Sequence, residues 1–452
     1  MEKNHTGETL NQEVIGLSQM NSKKTVAFAT LGCKVNQYDT EAVLEDFKKS
    51  GYEVVAFNEF ADVYVVNTCT VTSLSDRKCR QMLRKTKKIN ADSILVAMGC
   101  YAQIAGDAIK KQVDEIDIIV GTNHRSKIVE LVQDYTHTTS INMVSDIMEV
   151  HEFEELNISD MGERTRVYLK IQEGCNNYCS YCIIPYVRGK IRSRKEEQVI
   201  EEAVRLSKLG FKEIVLTGIH VASYGKDLGN TDLIQLLKKV HEISEIERIR
   251  MSSIEPIVVT DLFIQAIQTM PKLCKHFHLS LQSGSNSVLK RMNRKYTKEE
   301  YKACVEQLRH IWPDVAITTD IIVGFPGETD EEFEETLNFV KEIKLSQIHI
   351  FPFSPRTGTP AATMTNQILP DIKDKRAKQL AVIEKQLRLE FMKQFLNKEA
   401  EVLFESYHDQ LLVGYTSNYL KVQVASHFDF ENTLKKVFID QINDTELTGY
   451  LL

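Results

Sequence analysis

The amino-acid sequence predicts an α/β protein in three parts: an N-terminal parallel sheet, a central partial (βα)6 barrel and a small C-terminal antiparallel β-barrel. Up to about residue 390, short apolar runs alternate with helical patterns of about a dozen residues, which is typical of parallel strands joined by crossover helices. After that point short β-rich runs follow one another without helices between them. A chain of 452 residues is long enough for about two to four domains.

The first part repeats a unit in which a β-rich run ends next to a cysteine and a helical pattern follows. The three pairs are residues 25–31 with Cys33, 63–68 with Cys69, and 94–98 with Cys100. Ligands gather outside the carboxyl ends of parallel strands, so these thiols can surround one object. An iron–sulfur cluster is favoured, because thiolates are its usual ligands. The alternative is that each cysteine is a small buried core residue.

Six further β-rich runs alternate with helical patterns and predict the partial barrel. They are residues 167–172, 213–217, 248–252, 276–281, 316–323 and 347–352. Barrels of this kind carry their sites on the loops at the carboxyl ends of the strands. A cysteine-rich loop directly follows the first of these strands, so the sites of the first two parts should face one another.

That loop places Cys175, Cys179 and Cys182 at the spacing C-x3-C-x2-C. Three thiolates leave one iron of a four-iron cluster without a protein ligand, and that iron is open to chemistry. A structural cluster or a zinc site normally uses four ligands. A zinc knuckle that lacks one ligand, or three unrelated thiols, are the alternatives. The isolated cysteines expected to be structural are Cys79, Cys274 and Cys304.

A long charged helix over residues 371–393 leads to the third part, whose β-rich runs predict a small barrel. These runs are residues 401–404, 411–415, 419–424 and 436–439. From residue 399 onward there are nine acidic residues and three lysines, within a chain whose formal net charge is −7. The third part is therefore expected to be markedly acidic.

Basic residues cluster near the predicted sites instead. The groups are Arg77, Lys78, Arg80, Arg84, Lys85, Lys87 and Lys88; then Arg188, Lys190, Arg192, Arg194 and Lys195; then Lys290, Arg291, Arg294, Lys295 and Lys298. Such groups favour an RNA partner bound through its phosphates, although a charge run can equally be a solvated face. The acidic third part would then either stack on bases through Tyr415 and Tyr419 or mainly brace the fold.

The composition also bears on the compartment. Residues 1–23 form a polar tail without a clear period, and no apolar run approaches the roughly 20 residues that a membrane span needs. Nine cysteines without a leading signal segment are expected in a reducing compartment. We therefore expect a cytoplasmic protein without disulfides or a membrane partner.

With both cysteine triplets in view, nearly the whole chain resembles the radical S-adenosylmethionine (SAM) methylthiotransferases, which attach a methylthio group to an unactivated carbon. The motifs that carry the resemblance are Leu31-Gly-Cys-Lys-Val-Asn36, Asn67-Thr-Cys69, Gly99-Cys100, Gly174-Cys-Asn-Asn-Tyr-Cys-Ser-Tyr-Cys182, Leu216-Thr-Gly218, Ser252-Ser-Ile-Glu255, Leu279-Ser-Leu-Gln-Ser-Gly284 and Asp320-Ile-Ile-Val-Gly-Phe-Pro-Gly-Glu328. The resemblance implies a methylthiotransferase N-terminal domain of flavodoxin or Rossmann type over residues 24–140. It also implies a TIM-like radical SAM domain with a linker helix over 160–390 and a TRAM-like β-barrel over 391–452.

The resemblance further implies two [4Fe-4S] clusters and SAM as cofactors. The implied ligands are Cys175, Cys179 and Cys182 for the radical cluster, and Cys33, Cys69 and Cys100 for the auxiliary cluster. The residues expected near SAM are Tyr181, Thr217, Gly218, Ser253, Glu255, Gly324 and Gly327.

The run Leu31–Asn36 is most similar to the MtaB branch of the family, which acts on N6-threonylcarbamoyladenosine at position 37 of tRNA. This branch implies methylthio transfer to C2 with two SAM molecules, one as methyl donor and one as source of the 5′-deoxyadenosyl radical. The implied partners are the tRNA anticodon loop, an electron donor and a sulfur source. An arginine is the expected partner of the threonyl carboxylate, because its planar fork binds both oxygens.

Several alternatives stay open at this point. Two keep the reaction and change the substrate, to isopentenyladenosine-37 of tRNA or to an aspartate of a ribosomal protein. A third is an RNA-binding iron–sulfur sensor without turnover, and a fourth is a zinc-bound scaffold.

Overall fold

The N-terminal part of the computed structural model, which describes residues 23–156, 158 and 165–452, is a parallel sheet. Its six strands lie in the order β2-β1-β3-β4-β5-β6. Strands β1 to β6 are Thr25–Thr30, Glu53–Val55, Val63–Thr68, Ile94–Gly99, Ile118–Val120 and Ile141–Asn142. Helices α1 to α5 are Lys34–Lys49, Ser73–Ile89, Cys100–Ala105, Asp107–Gln112 and Ile128–Asp134. Except for residue 23, the predicted polar tail lies outside the described residues.

The order of strands in this sheet brings the cysteine-bearing strand ends together. Every residue of β3 is buried, which is typical of a parallel strand covered on both faces. Strands β1 and β4 flank β3, so the three strands that precede cysteines end at one edge. The sequence did not reveal β2, β5 and β6, because strands of three, three and two residues are too short to show a period.

The central part is an open barrel of two sheets, ordered β10-β9-β7-β8 and β11-β12-β13. Strands β7 to β13 are Arg166–Glu173, Arg192–Ser193, Glu213–Gly218, Arg248–Met251, His276–His278, Ala316–Val323 and Gln347–Pro352. Helices α6 to α14 are Ile184–Arg188, Glu196–Lys208, Leu233–His241, Asp261–Gln268, Asn286–Arg291, Lys298–Ile311, Asp330–Ile343, Pro360–Thr363 and Pro370–Lys393. Single bridges from Ile249 to Leu273 and from Ile254 to Leu279 connect the two sheets. All six predicted strands are present, and β8 is an additional short strand antiparallel to β7.

The C-terminal part is a closed barrel in the order β14-β15-β16-β18-β17. Its strands β14 to β18 are Lys398–His408, Leu411–Thr416, Lys421–Ala425, Leu434–Asn443 and Glu446–Leu451. Four of its strand pairs are antiparallel, whereas β16 and β18 are parallel. The expectation of a wholly antiparallel barrel is therefore wrong for this one pair. The predicted α/β layout with a terminal barrel is confirmed.

The terminal barrel packs against the amino ends of the central strands. Arg166, the first residue of β7, pairs with Glu405 at 2.9 Å. The guanidinium of Arg250 on β10 lies 4.7 Å from the ring centre of Tyr419, which stacks on Tyr415 at 5.1 Å. The turn between β15 and β16 therefore closes the floor of the central barrel, opposite the rim that carries the cysteine loop.

Helix α1 joins the N-terminal sheet to the central barrel. Tyr38 and Ala42 of this helix belong to the hydrophobic core of the barrel. The Tyr38 hydroxyl also donates to the carbonyl of Leu156 at 2.6 Å. This packing places Cys33, at the start of α1, over the barrel rim. Among the described helices, none combines the length and the apolarity that a membrane span needs.

Candidate functional site

A cavity of about 1010 Å³ lies between α1 and the carboxyl-end rim of the central barrel. Both parts of the chain line it, and the lining includes Cys33, Lys34, Cys175, Cys179, Cys182, Thr217, Ser253, Glu255, Arg294 and Asp320. The strand ends of the sheet and of the barrel therefore open onto one space, as the sequence predicts.

The loop after β7 is held in a sharp turn. Gly174 has a φ of +72°, and a Cβ there would lie 1.8 Å from the carbonyl oxygen of Lys190, so only glycine fits. The backbone amide of Cys175 donates to the carbonyl of Gly189 at 3.0 Å. These constraints fix the direction of the loop as it enters the cavity.

The three thiols of this loop are close enough to influence one another electrostatically. Burial raises the pKa of Cys175 to about 11 and that of Cys182 to about 12. Without a bound cation the Cys175 and Cys182 thiols are neutral, and a bound iron would displace their protons. Three converging thiols fit a cluster that keeps one iron free of protein ligands.

Asn36 links the cysteines at the edge of the N-terminal sheet. Its Oδ1 lies 4.0 Å from Sγ of Cys33 and 3.9 Å from Sγ of Cys100. Its Nδ2 donates to the carbonyl of Thr68, the residue before Cys69, at 3.2 Å. The structure thus brings the second triplet to one point, where a cluster can be held.

The three cysteines expected to be structural are buried. Sγ of Cys79 donates to the carbonyl of Cys69 at 3.3 Å, so it supports the second triplet from behind. Sγ of Cys304 contacts the carbonyl of Pro256 at 3.4 Å, and Cys274 lies beside Arg250.

A buried ion network joins the two cysteine sites. Arg188 donates to Sγ of Cys100 at 3.3 Å and to the carboxylates of Asp39 at 3.0 Å and Glu173 at 2.6 Å. Lys170 contacts the same two carboxylates at 2.6 Å and 3.2 Å. Burial raises the pKa of Glu173, but the surrounding cations outweigh this effect and hold that pKa well below its usual range. Because Glu173 ends β7 just before the cysteine loop, the network couples the positions of both triplets.

Arg294 forms a wall of the cavity beside the cysteine loop. Its guanidinium donates to Sγ of Cys179 at 3.2 Å and pairs with Glu255 at 2.7 Å. Glu255 also contacts His220 at 3.1 Å and accepts a hydrogen bond from Asn177 at 2.9 Å. Burial raises the pKa of Glu255, but the bond from His220 and the charge of Arg294 lower it to about 2. This role was not predictable from the sequence, because Arg294 stands 115 positions from Cys179.

Five of the seven residues predicted near SAM line the cavity. They are Tyr181, Thr217, Gly218, Ser253 and Glu255. Gly324 and Gly327 are not among the lining residues. A Cβ at Gly324 would lie 2.4 Å from Cγ of Lys373, and the Gly324 amide donates to Glu328 at 2.6 Å. These two glycines therefore serve the turn after β12, and their contact with SAM stays a prediction.

The second basic group is not the phosphate-binding surface that the sequence suggested. Arg188, Arg192 and Arg194 are buried. Arg192 pairs with Glu173 at 3.3 Å, and Arg194 pairs with Glu155 at 2.7 Å. The expectation is wrong for these three residues, because buried and paired guanidinium groups cannot reach RNA phosphates.

Comparison with known proteins identifies the family. Residues 25–121 match the group described as uncharacterized protein family UPF0004, and residues 169–340 match the radical SAM superfamily. Over 92% of its length the chain is 45% identical to threonylcarbamoyladenosine tRNA methylthiotransferase MtaB of Bacillus subtilis, covering 93% of that protein. Over 95% of its length it is 36% identical to tRNA-2-methylthio-N(6)-dimethylallyladenosine synthase of Acetivibrio thermocellus, covering 91% of that protein. The chain belongs to the radical SAM methylthiotransferases.

The fold of this methylthiotransferase is similar to that of a solved radical SAM methyltransferase, TsrM of Kitasatospora setae. The TM-score is 0.54 at 13% sequence identity, and the match covers 75% of this chain and 77% of the other. As a radical SAM methylthiotransferase, the protein uses iron–sulfur clusters and SAM. The thiol donors described above are chemically suited to hold the clusters.

Proposed function

We propose that this methylthiotransferase replaces the C2 hydrogen of N6-threonylcarbamoyladenosine at position 37 of tRNA with a methylthio group. The observation that carries the proposal is the cavity between α1 and the barrel rim, whose lining contains the whole first cysteine triplet and Cys33 of the second. The higher identity to the threonylcarbamoyladenosine enzyme, 45% against 36% for the dimethylallyladenosine enzyme, supports this substrate.

The ligand assignments belong to the same proposal. The radical cluster would be held by Cys175, Cys179 and Cys182, and the auxiliary cluster by Cys33, Cys69 and Cys100. Arg294 beside the first set and Arg188 beside the second would stabilise the thiolate charge. When bound, the clusters and two SAM molecules supply the radical that breaks the carbon–hydrogen bond and the sulfur and methyl group that replace it. The reaction also needs an electron donor and a sulfur source.

The task of the polypeptide is to orient the base and shield it. The C2–H bond of adenine is beyond side-chain acid–base chemistry, so the chain contributes position while the cofactors contribute reactivity. Helix α1 covers the rim, and the turn before β16 closes the floor, which limits the routes by which water enters. Hydroxyls of Thr217 and Ser253 and the carboxylate of Asp320 line the cavity and offer polar contacts to SAM and to the base.

Helix α2 offers the basic surface for the tRNA anticodon loop. Its exposed cations are Arg77, Lys78, Arg84, Lys85 and Lys88. The helix follows Cys69 closely along the chain, and Val71 in the connecting loop lines the cavity. Phosphate contacts along α2 would therefore hold the loop beside the cavity, and such binding weakens with salt.

The proposal is tested by deleting the gene in its host and measuring the nucleosides of total tRNA by mass spectrometry. The expected result is loss of the methylthio mark on threonylcarbamoyladenosine, restored by the wild-type gene but not by Cys179→Ala. Cys304→Ala is the matched control, because Cys304 is buried away from the cavity and should restore the mark. Loss of the methylthio mark on isopentenyladenosine instead would assign the other tRNA substrate. No change in any methylthio nucleoside would favour an RNA-binding iron–sulfur sensor.

A further inference from the structure

Lys34 directs a positive charge into the interior of the central barrel. It follows Cys33 at the start of α1 and lines the cavity. Its ammonium interacts electrostatically with Arg166 on β7, with Arg250 on β10, with Glu213 on β9 and with Tyr419 of the terminal barrel. The cavity wall that includes Lys34 also includes Asp320 on β12 of the barrel. The Lys34 side chain therefore faces the barrel interior from the rim.

The arginines around this interior already have carboxylate partners. These pairs are Arg294 with Glu255 at 2.7 Å, Arg250 with Glu213 at 2.6 Å, and Arg166 with Glu405 at 2.9 Å. Lys34 forms no hydrogen bond or ion pair with any residue that the structure describes. It is nevertheless solvent-accessible, so a ligand that enters the cavity can reach it. A cation in this position is stabilised when a ligand supplies the opposite charge.

We propose that Lys34 binds the threonyl carboxylate of the substrate nucleoside and so selects it over adenosines with an apolar N6 substituent. The inference rests on the proposed function and adds to it a residue that determines specificity. The carboxylate is the anionic group of the N6 substituent, and a lysine ammonium offers it a compact charge with three donors. On chemical grounds the sequence favoured an arginine, but the arginines named above are engaged by carboxylates of the protein.

The position of Lys34 also suits the geometry of the base. In adenine, C2 and C6 are both bonded to N1, so a substituent on N6 and the carbon C2 lie on the same side of the ring. Lys34 adjoins Cys33 of the second triplet, so a carboxylate held by its ammonium keeps C2 near both triplets. The closed floor leaves the interior to the base and its substituent, while the sugar–phosphate backbone stays at the rim.

The test compares two anticodon stem-loop RNAs, one with threonylcarbamoyladenosine at position 37 and one with its threonyl methyl ester. The holoenzyme is used with SAM and a chemical reductant, and product formation is followed by mass spectrometry. Dissociation constants are measured for both RNAs without the reductant, so that binding is read separately from turnover. The variants are Lys34→Met, Lys34→Arg and Lys49→Met. Lys49 lies at the far end of α1 and controls for the loss of one positive charge.

Wild-type enzyme should prefer the free acid by about 10- to 100-fold in kcat/KM and in affinity, the effect of one charge-assisted hydrogen bond. Lys34→Met should remove the preference without changing iron content or visible absorption. Lys34→Arg should keep most of the preference, and Lys49→Met should keep all of it.

Two results would overturn the inference while leaving the proposed function intact. One is wild-type activity that is equal on acid and ester. The other is a Lys34→Met effect that is equal on both RNAs, since an RNA phosphate or the fold would then be the partner of Lys34. If wild-type enzyme modifies neither RNA, the proposed function fails and the inference fails with it.

Discussion

Arg188→Met should lower the free energy of unfolding by about 3 kcal/mol, because it removes a cation from a buried ion network. The Arg188 side chain is fully buried. It donates to Asp39 at 3.0 Å, to Glu173 at 2.6 Å and to Asn36 at 2.5 Å, and its Nε contacts Sγ of Cys100 at 3.3 Å. One substitution therefore ends four contacts, of which those to Asn36, Asp39 and Cys100 connect the N-terminal part to the barrel.

The magnitude follows from what remains after the substitution. Removing one partner of a buried ion pair typically costs about 3 to 5 kcal/mol. Asp39 and Glu173 both keep Lys170, at 2.6 Å and 3.2 Å, and both also keep Arg125. Neither carboxylate is left alone, so the lower end of that range is expected. Arg188→Lys keeps the charge but loses the planar fork, and a loss of about 1 to 2 kcal/mol is expected.

The assay is anaerobic urea unfolding of the holoenzyme, followed by far-ultraviolet circular dichroism, with the iron content measured in parallel. Lys302→Met is the control: Lys302 pairs with Glu342 at 2.6 Å on the surface, where a pair contributes about 0 to 1 kcal/mol. The first unfolding transition of Arg188→Met should move well below those of wild type and control. If Arg188→Met unfolds together with Lys302→Met, the network does not stabilise the fold and the reasoning is refuted.

Three further outcomes are expected. Gly174→Ala should abolish iron at the cysteine loop while leaving the second triplet loaded. The control Gly229→Ala should lower the free energy of unfolding by only about 1 kcal/mol, because the φ of Gly229 is also positive but a Cβ there meets nothing within 4 Å. Equal iron content in both variants would contradict the steric argument. Tyr419→Ala should weaken docking of the terminal barrel by about 1 to 3 kcal/mol. The linker at residues 393–398 should then be cleaved faster in limited proteolysis. A cleavage rate equal to that of wild type would contradict the docking role of Tyr419. Joint replacement of Lys85 and Lys88 by glutamine should reduce the slope of log affinity against log salt concentration, measured for binding of the anticodon stem-loop, by roughly 0.7 to 0.9 per lost phosphate contact. An unchanged slope would show that α2 does not contact the RNA.

The main strands and both cysteine sets were predictable because the relevant information is local. Strand β3 is six buried residues in a row, and β12 is an eight-residue run rich in β-branched residues, so each shows a clear pattern. The C-x3-C-x2-C spacing lies within one loop. Strands β2, β6 and β8, by contrast, exist because a neighbouring strand pairs with them, and two or three residues carry no period of their own.

The misreading of the second basic group has a different physical cause. A run of arginines looks like a solvated or RNA-binding face when the sequence does not show which acids pair with it. Asp39 on helix α1, a partner of Arg188, stands 149 positions away, and Arg194 pairs with Glu155, 39 positions away. Only the folded chain shows that these arginines are neutralised inside the protein. Lys34 is the opposite case, since the sequence motif contains it but only the fold shows that it has no partner among the described residues.

Two of the acidic residues of the terminal barrel serve the surface on which it docks. The amino ends of the central strands present Arg166 and Arg248, and the terminal barrel supplies Glu405 to the first at 2.9 Å and Glu401 to the second at 3.2 Å. Tyr419, which could have stacked on RNA bases, is instead stacked at 5.0 Å on His276, at the start of β11. Acidic and aromatic side chains that are engaged in this way cannot also recognise a nucleic acid. Through these residues the barrel braces the floor of the cavity, which agrees with our proposal that RNA binds at the opposite rim, where α2 carries exposed cations.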